Sequence, residues 1–166
     1  MASKAHLNQV IASHLIEIRA DETPDKEIYI FENGEYGDDI LTYRILHERS
    51  NKIARLFVDK GIGKGDTVAI YMRNHPEFVC GMMGGITIGA IAVPVDPRNK
   101  GERLKFLLNN CKARAVIVSG ECLEDLEAVI ADVPTLRFVT VAYQPGQNIA
   151  VSTKYHALNE VMEKDT

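Results

Sequence analysis

From Phe78 to Val95 the chain carries eighteen residues without one charged side chain, and glycines stand at 81, 84, 85 and 89 among them. Eighteen uncharged residues is the lower edge of what a membrane-spanning helix needs. The details oppose a span. Pro94 would break a helix near its end, and Gly81, Gly85 and Gly89 recur every fourth residue along one helical face. Asn74, with Glu77 three residues on, has the pattern of a capping box, and Pro76 is tolerated in a first turn. The closing AIAVPVD is short, β-branched and apolar, as suits a strand buried on both faces. The run is therefore expected to form a helix laid tightly on a sheet, followed by a central strand. A membrane helix or a GxxxG dimer face is the weaker alternative, because flanking interfacial anchors are lacking.

A chain of 166 residues is long enough for one domain with a proper core. Its 46% hydrophobic and 25% charged content is that of a soluble globular protein. A net charge of -4 leaves no basic footprint for nucleic acid or an anionic membrane surface. Cys80, Cys111 and Cys122 fit no zinc spacing, and an odd count argues against a secreted disulfide framework. The opening MASKAHLNQVIASHLIEIRA lacks the apolar stretch of a signal peptide. These features lead to the expectation of a cytoplasmic protein with no membrane span.

Along the chain, Leu7, Val10, Ile11, His14, Leu15 and Ile18 suggest an amphipathic helix over residues 7–19. TPDKEIYIFENGEYGDDILTY reads as two strands around Asn33-Gly34, a strong hairpin signal. Thr42 suits the N-cap of a helix whose face carries Leu46, Ser50, Ile53 and Phe57, and Lys60-Gly61 suits its end. Gly61, Gly63 and Gly65 have a helix before them and a strand after, the reverse of a dinucleotide fingerprint, so they read as a loop. TVAIYM is a strand, and Asn99 with Glu102 marks the start of the helix ERLKFLLNNCK. RAVIVS, LEDLEAVIADV and LRFVTVA then read as strand, helix and strand. Residues 143–166 read as an irregular tail with a closing helix over KYHALNEVMEK. The alternation implies an α/β fold, with a largely parallel sheet covered by helices on both faces and preceded by an N-terminal helix and a β-hairpin.

Chemistry is sparse in the residues themselves. The five histidines show no metal-ligand spacing, no Ser or Cys sits in a nucleophile elbow, and there is no P-loop. The acidic residues Glu121, Glu124, Asp125 and Glu127 alternate with apolar ones and read as a solvated helix face. No catalytic, ATP-binding or metal-binding residue is therefore assigned. In open parallel sheets ligands bind beyond the carboxyl ends of strands. The best-equipped such end is VDPRNKGE, where Arg98 and Lys100 flank Asn99 at a helix start. That arrangement suits a phosphate, although on residues alone a solvated loop is the more ordinary reading.

Several segments, in order, resemble the adenylate-forming acyl-CoA synthetase superfamily, the AMP-binding acid–CoA ligases. LTYRILHERSNKIARLF is similar to that family's first core motif. GIGKGDTVAIYMRNHPEFV resembles its glycine-aspartate strand followed by N-x-x-E-F. ITIGAIAVPVDP is close to its G-A-x-x-V-P-x-D/N-P motif, and RNKGERLKFLLNNCKARAVIVS resembles the helix and strand that follow. The match runs over about Leu41 to Val141, and within the family it is nearest to carnitine- or crotonobetaine-type and fatty acid CoA ligases.

The resemblance implies ATP-dependent activation of a carboxylic acid with magnesium, through an acyl-adenylate, and transfer to the thiol of CoA. The family's ATP loop would come after this chain, so residues 1–166 are expected to be an incomplete N-terminal subdomain, catalytically silent alone and holding no cofactor. Arg98, and secondarily Lys100, become candidate contacts to a CoA phosphate. Apolar surface meant for the rest of a large domain would favour self-association. Two other readings stay open. One is a free-standing binding module that keeps the scaffold without the active site. The other is a flavodoxin-like binding protein, which would carry a Ser/Thr-rich turn where this chain has IYMRNHPE.

Overall fold

The computed structural model describes residues 11–143 and 155–163. Its framework is a set of short β-branched runs: β3 (Thr67–Tyr71), β4 (Ile91–Val95), β5 (Ala113–Ser119), β6 (Phe138–Ala142) and β7 (His156–Ala157). They form one parallel sheet in the order β4-β3-β5-β6-β7. The chain steps from β3 outward to β4, then crosses back over β3 to β5. This is a doubly wound order, with its reversal between β3 and β5.

Strand periodicity divides the core in two. Val68 and Ile70 of β3, with Ala115 and Ile117 of β5, face a cluster that includes Leu46, Ile53 and Phe57. Those three come from α2 (Tyr43–Asp59), which crosses α3 (Pro76–Thr87) on this side. Ala69 and Tyr71, with Val116 and Val118, face the other cluster. It contains Leu104 and Leu108 of α4 (Gly101–Asn110) and Leu126 of α5 (Leu123–Glu127). Helices thus cover both faces, as the alternation predicts. Ahead of the sheet, α1 (Ala12–Glu22) packs Ile16 onto the first cluster. Residues 7–10 of the expected first helix lie outside the described residues. The hairpin of β1 (Glu27–Phe31) and β2 (Asp39–Thr42) adds Ile28 and Phe31 to the same cluster.

Several expectations are corrected in detail. The close approach in the apolar run is made by Gly81 and Gly84, not by every fourth glycine. A Cβ on Gly84 would lie 2.9 Å from the Ser50 carbonyl oxygen on α2, and one on Gly81 would run into the end of Ile117. Gly85 faces open space, and Gly89 lies beyond the helix. α3 begins at Pro76 after His75, whose side chain makes no cap bond. Glu77 does not close a capping box with Asn74 but accepts a hydrogen bond from Asn159 Nδ2 at 2.9 Å. Likewise α4 begins after Lys100, while Asn99 turns its amide back to the Asp96 carbonyl at 2.9 Å. Thr42 does cap α2, accepting from the Ile45 N–H.

The hairpin turns through a 3-10 turn over Gly34–Tyr36 rather than a two-residue loop. A type I′ loop needs positive φ at both central residues, and Asn33 has φ of -105°. The largest correction concerns β4, which among the described residues is an edge strand and not a central one. Ile91 is 54% exposed there, and Pro94, which cannot donate to a ladder, suits an edge. The third crossover helix is only α5 plus a separate turn at Ile130–Asp132, because Val129 folds inward and bonds its N–H to Leu126.

In the tail, residues 155–163 supply β7 and then α6 (Leu158–Glu163). Thr140 Oγ1 donates to the His156 carbonyl at 2.9 Å, and Lys52 Nζ donates to the Met162 carbonyl near the end of α6 at 3.1 Å. Residues 144–154 and 164–166 of the expected tail lie outside the described residues.

Candidate functional site

A doubly wound sheet opens a crevice beyond its carboxyl ends where the strand order reverses. Here that place lies between β3 and β5, and a cleft of about 430 Å³ occupies it. β3 delivers Arg73 two residues past its end, and β4 delivers Asp96, Pro97, Arg98 and Lys100. The turn after β5 delivers Glu121, Cys122 and, at the start of α5, Asp125. Backbone topology, not local sequence, assembles the three loops.

Each of the three cations meets a carboxylate. Arg73 Nε lies 3.4 Å from Glu121 Oε1, tying the ends of β3 and β5 together. Lys100 Nζ lies 2.8 Å from Asp125 Oδ2, tying the β4 loop to α5. Arg98 forks onto Asp96, its Nη2 and Nε both donating to Oδ2 at 2.5 and 2.9 Å. Those hydrogen bonds hold the Asp96 carboxyl down at about 2, and the pairings raise Arg98 and Lys100 above their ordinary values. Arg98 and Lys100 therefore stay charged across the ordinary pH range. The guanidinium of Arg98 is the most accessible, with 91% of its side chain exposed. Cys122 is nearly buried, and burial pushes its thiol up and away from a reactive thiolate.

The turn that carries Arg98 is built tightly. The Arg98 N–H donates to Asp96 Oδ1 at 2.8 Å, and the Asn99 N–H donates to the Asp96 carbonyl at 2.9 Å. Gly101, with φ of +52°, lets the chain swing from that turn into α4. Beneath the turn lies the fully buried Tyr71, whose hydroxyl donates to the carbonyls of Asn99 at 2.9 Å and Pro97 at 3.3 Å.

The structure thus brings Arg98 and Lys100 into one cleft, each already neutralised by a carboxylate. Reasoning from sequence missed Arg73 and Tyr71, which come from another strand. It also assigned Glu121 and Asp125 to a solvated face, whereas they are the partners of Arg73 and Lys100. The available signal was topological: acidic residues following β5, basic residues following β3 and β4 on one side of it. Among the described residues no group of three or more His, Cys, Asp or Glu could hold a metal ion. No helix among them is long and apolar enough to cross a membrane.

Comparison with known proteins agrees with this architecture. The chain is 35% identical over 127 residues to a medium/long-chain-fatty-acid–CoA/3-oxocholest-4-en-26-oate–CoA ligase of Mycobacterium marinum, spanning 76% of this chain and 22% of that protein. It is 35% identical over 120 residues to tyrocidine synthase 3 of Brevibacillus parabrevis, spanning 72% of this chain and 2% of that one. The chain therefore spans about a fifth, or much less, of the length of these relatives.

Among solved structures, a long-chain-fatty-acid–CoA ligase from Archaeoglobus fulgidus superposes with a TM-score of 0.78 at 21% identity. That match covers 94% of this chain and 30% of the other. An anthranilate–CoA ligase in complex with anthranoyl-AMP gives 0.77, also at 21%, over 91% and 26%. Both show the fold. A family model described as AMP-binding enzyme matches residues 16–163. Over that extent, and with such relatives, the chain belongs to the AMP-binding enzyme family, which groups it with acid–CoA ligases and other adenylate-forming enzymes.

Proposed function

We propose that this chain is the N-terminal part of an ATP-dependent carboxylic acid–CoA ligase and supplies a surface for a phosphate of CoA rather than the adenylation chemistry. The observation that carries the reading is the convergence of Arg73, Arg98 and Lys100 at the carboxyl ends of β3 and β4, in the crevice where such sheets bind ligands. A guanidinium fork matches a phosphate as well as it matches the carboxylate it now holds. Asp96, Glu121 and Asp125 keep the cations oriented until a dianion replaces them. Arg98, the most exposed, is the first contact, and Lys100 is the second.

Activation of the acid requires charge stabilisation at the transferring phosphorus by positioned cations, donors and magnesium. On this reading the ATP, magnesium and acyl-binding parts come from other segments of a family-length protein, and residues 1–166 are silent alone. A medium- or long-chain fatty acid is the favoured substrate class, because the Mycobacterium marinum relative is named for one.

Titration of the protein with CoA in a calorimeter tests the binding role. Binding should weaken as salt rises, and Arg98→Ala should weaken it about tenfold, the loss of one charge-assisted phosphate contact. CoA affinity indifferent to Arg98→Ala would refute the assignment. Incubation with ATP, magnesium and a panel of acids should release no pyrophosphate, and turnover by these 166 residues would refute silence.

A further inference from the structure

The turn from Asp96 to Lys100 is held by Asn99 on the Asp96 carbonyl and by Lys100 on Asp125, and beside these by two fastenings of Arg98 and its neighbours that differ in what a ligand does to them. One is made by Asp96, whose carboxylate takes both the Arg98 guanidinium and the Arg98 N–H. A phosphate that takes the Nε–Nη2 edge of the guanidinium, the edge that Asp96 holds, loosens that fastening. The other is made from below by Tyr71. Its hydroxyl donates to the carbonyls of Pro97 and Asn99, the two residues on either side of Arg98. It owes nothing to the Asp96 carboxylate, so it survives ligand entry.

Tyr71 is suited to the task. It ends β3, is 0% exposed, and packs among Leu104, Leu108 and Leu126, so its ring cannot follow a moving loop. Twenty-six residues separate it from Pro97, which fixes the loop to the sheet rather than to itself. Burial, with Cys122, Asp125 and Asp96 nearby, raises the phenol well above its ordinary value, so it remains a proton donor across the working range. A phenylalanine would fill the same space in the core without offering the bond.

We infer that Tyr71 is a positioning residue for anion recognition, holding the Arg98 turn in its binding shape while the guanidinium changes partner from Asp96 to a phosphate of the ligand. The inference rests on the reading of the cleft as a CoA-phosphate site and extends it to a residue that touches no ligand. Loss of the bond lets the turn sample other shapes. The penalty then falls on the phosphate that depends on Arg98 and spares the rest of the ligand.

The test uses Tyr71→Phe with two probes, CoA and dephospho-CoA, which lacks the 3′-phosphate. Wild-type protein should bind CoA more tightly than dephospho-CoA. In Tyr71→Phe the affinity for CoA should fall about fivefold, the worth of one ordinary hydrogen bond, and that for dephospho-CoA should hold. Amide exchange at Arg98 and Asn99 should quicken by a similar factor, with the amides of β3 and β5 unchanged. An isosteric change that merely loosened the fold would affect both probes alike. Unchanged exchange at Arg98 and Asn99, or equal losses for both probes, overturns the inference. Wild-type protein that binds neither probe refutes the CoA reading itself, whereas wild-type protein that binds both equally overturns the inference, since Arg98 would then hold nothing that the 3′-phosphate supplies.

Discussion

β3 and β4 lie side by side in register, Thr67 opposite Ile91 and Tyr71 opposite Val95, and both are runs of apolar residues. Yet all five residues of β3 are buried, while β4 begins with a half-exposed isoleucine and carries an exposed proline. Hydrophobicity alone does not separate them. Neighbours do: β3 is flanked by β4 and β5 and sandwiched by α3 and α4, whereas β4 has a strand on one side only among the described residues. Both strands still deliver residues to the cleft. The interior strand supplies the buried anchor Tyr71, and the edge strand supplies the turn that Tyr71 holds. Rigidity comes from the middle of the sheet and accessibility from its rim.

The bluntest way to break that contrast is one substitution made twice. Ile70→Ala on β3 empties a wholly buried site and should cost about 3–4 kcal/mol. Ile91→Ala on β4 removes a side chain that is 54% exposed and should cost under ~1 kcal/mol. Urea denaturation of the two variants measures the difference. Comparable losses would mean that β4 is as buried as β3 in solution, through association or another covering.

A second comparison lies within α3 and is smaller. Gly84→Ala forces a methyl to 2.9 Å from the Ser50 carbonyl, which belongs to backbone and cannot swing away. The expected loss is about 2 kcal/mol. Gly85→Ala, one residue on, enters open space and should stabilise by up to about 1 kcal/mol through helix propensity. A Gly84→Ala protein as stable as its parent would show that α2 and α3 do not cross so closely.

These contrasts mark what could be read in the chain. The order of helices and strands was legible because each element is a patterned run: TVAIY, RAVIVS and the Leu46–Ile53–Phe57 stripe carry their own period. Burial on both sides was not, because an edge strand and a central one look alike when both are apolar. The two residues of β7 are too few for any pattern and exist through pairing with β6. In the site, Arg98 and Lys100 were legible because a strand end, a turn and a helix start lie together in the sequence. Arg73 and Glu121 lie 48 positions apart and meet only after the chain has crossed the sheet. Tyr71 reads from sequence as one more core aromatic, since nothing local reveals what its hydroxyl reaches.

The subtlest test concerns a buried charge on the α3 side, the counterpart of the open, paired charges in the cleft. Glu77 is 9% exposed, and its carboxylate accepts from Asn159, which is itself clasped to both backbone groups of Tyr143. Burial raises its pKa above the ordinary glutamate value. Asp39 adds to the rise, against the pull of its own backbone hydrogen bond, His75 and Arg49.

Glu77 is thus an acid whose charged form the fold disfavours. Its favourable contribution to folding is fully present below the unfolded-state pKa and is lost as pH rises through the higher folded one. Glu77→Gln keeps an oxygen for Asn159 and removes the titration. The variant should match the parent near about pH 4 and become progressively the more stable of the two toward about pH 8. Urea midpoints across that range measure the gap. A gap that stayed constant with pH, or favoured the parent at the alkaline end, would mean that solvent or the pull of Arg49 and His75 outweighs burial at Glu77. The clasp joining α3, β6 and α6 would then not be the buried enclosure that contrasts with the cleft.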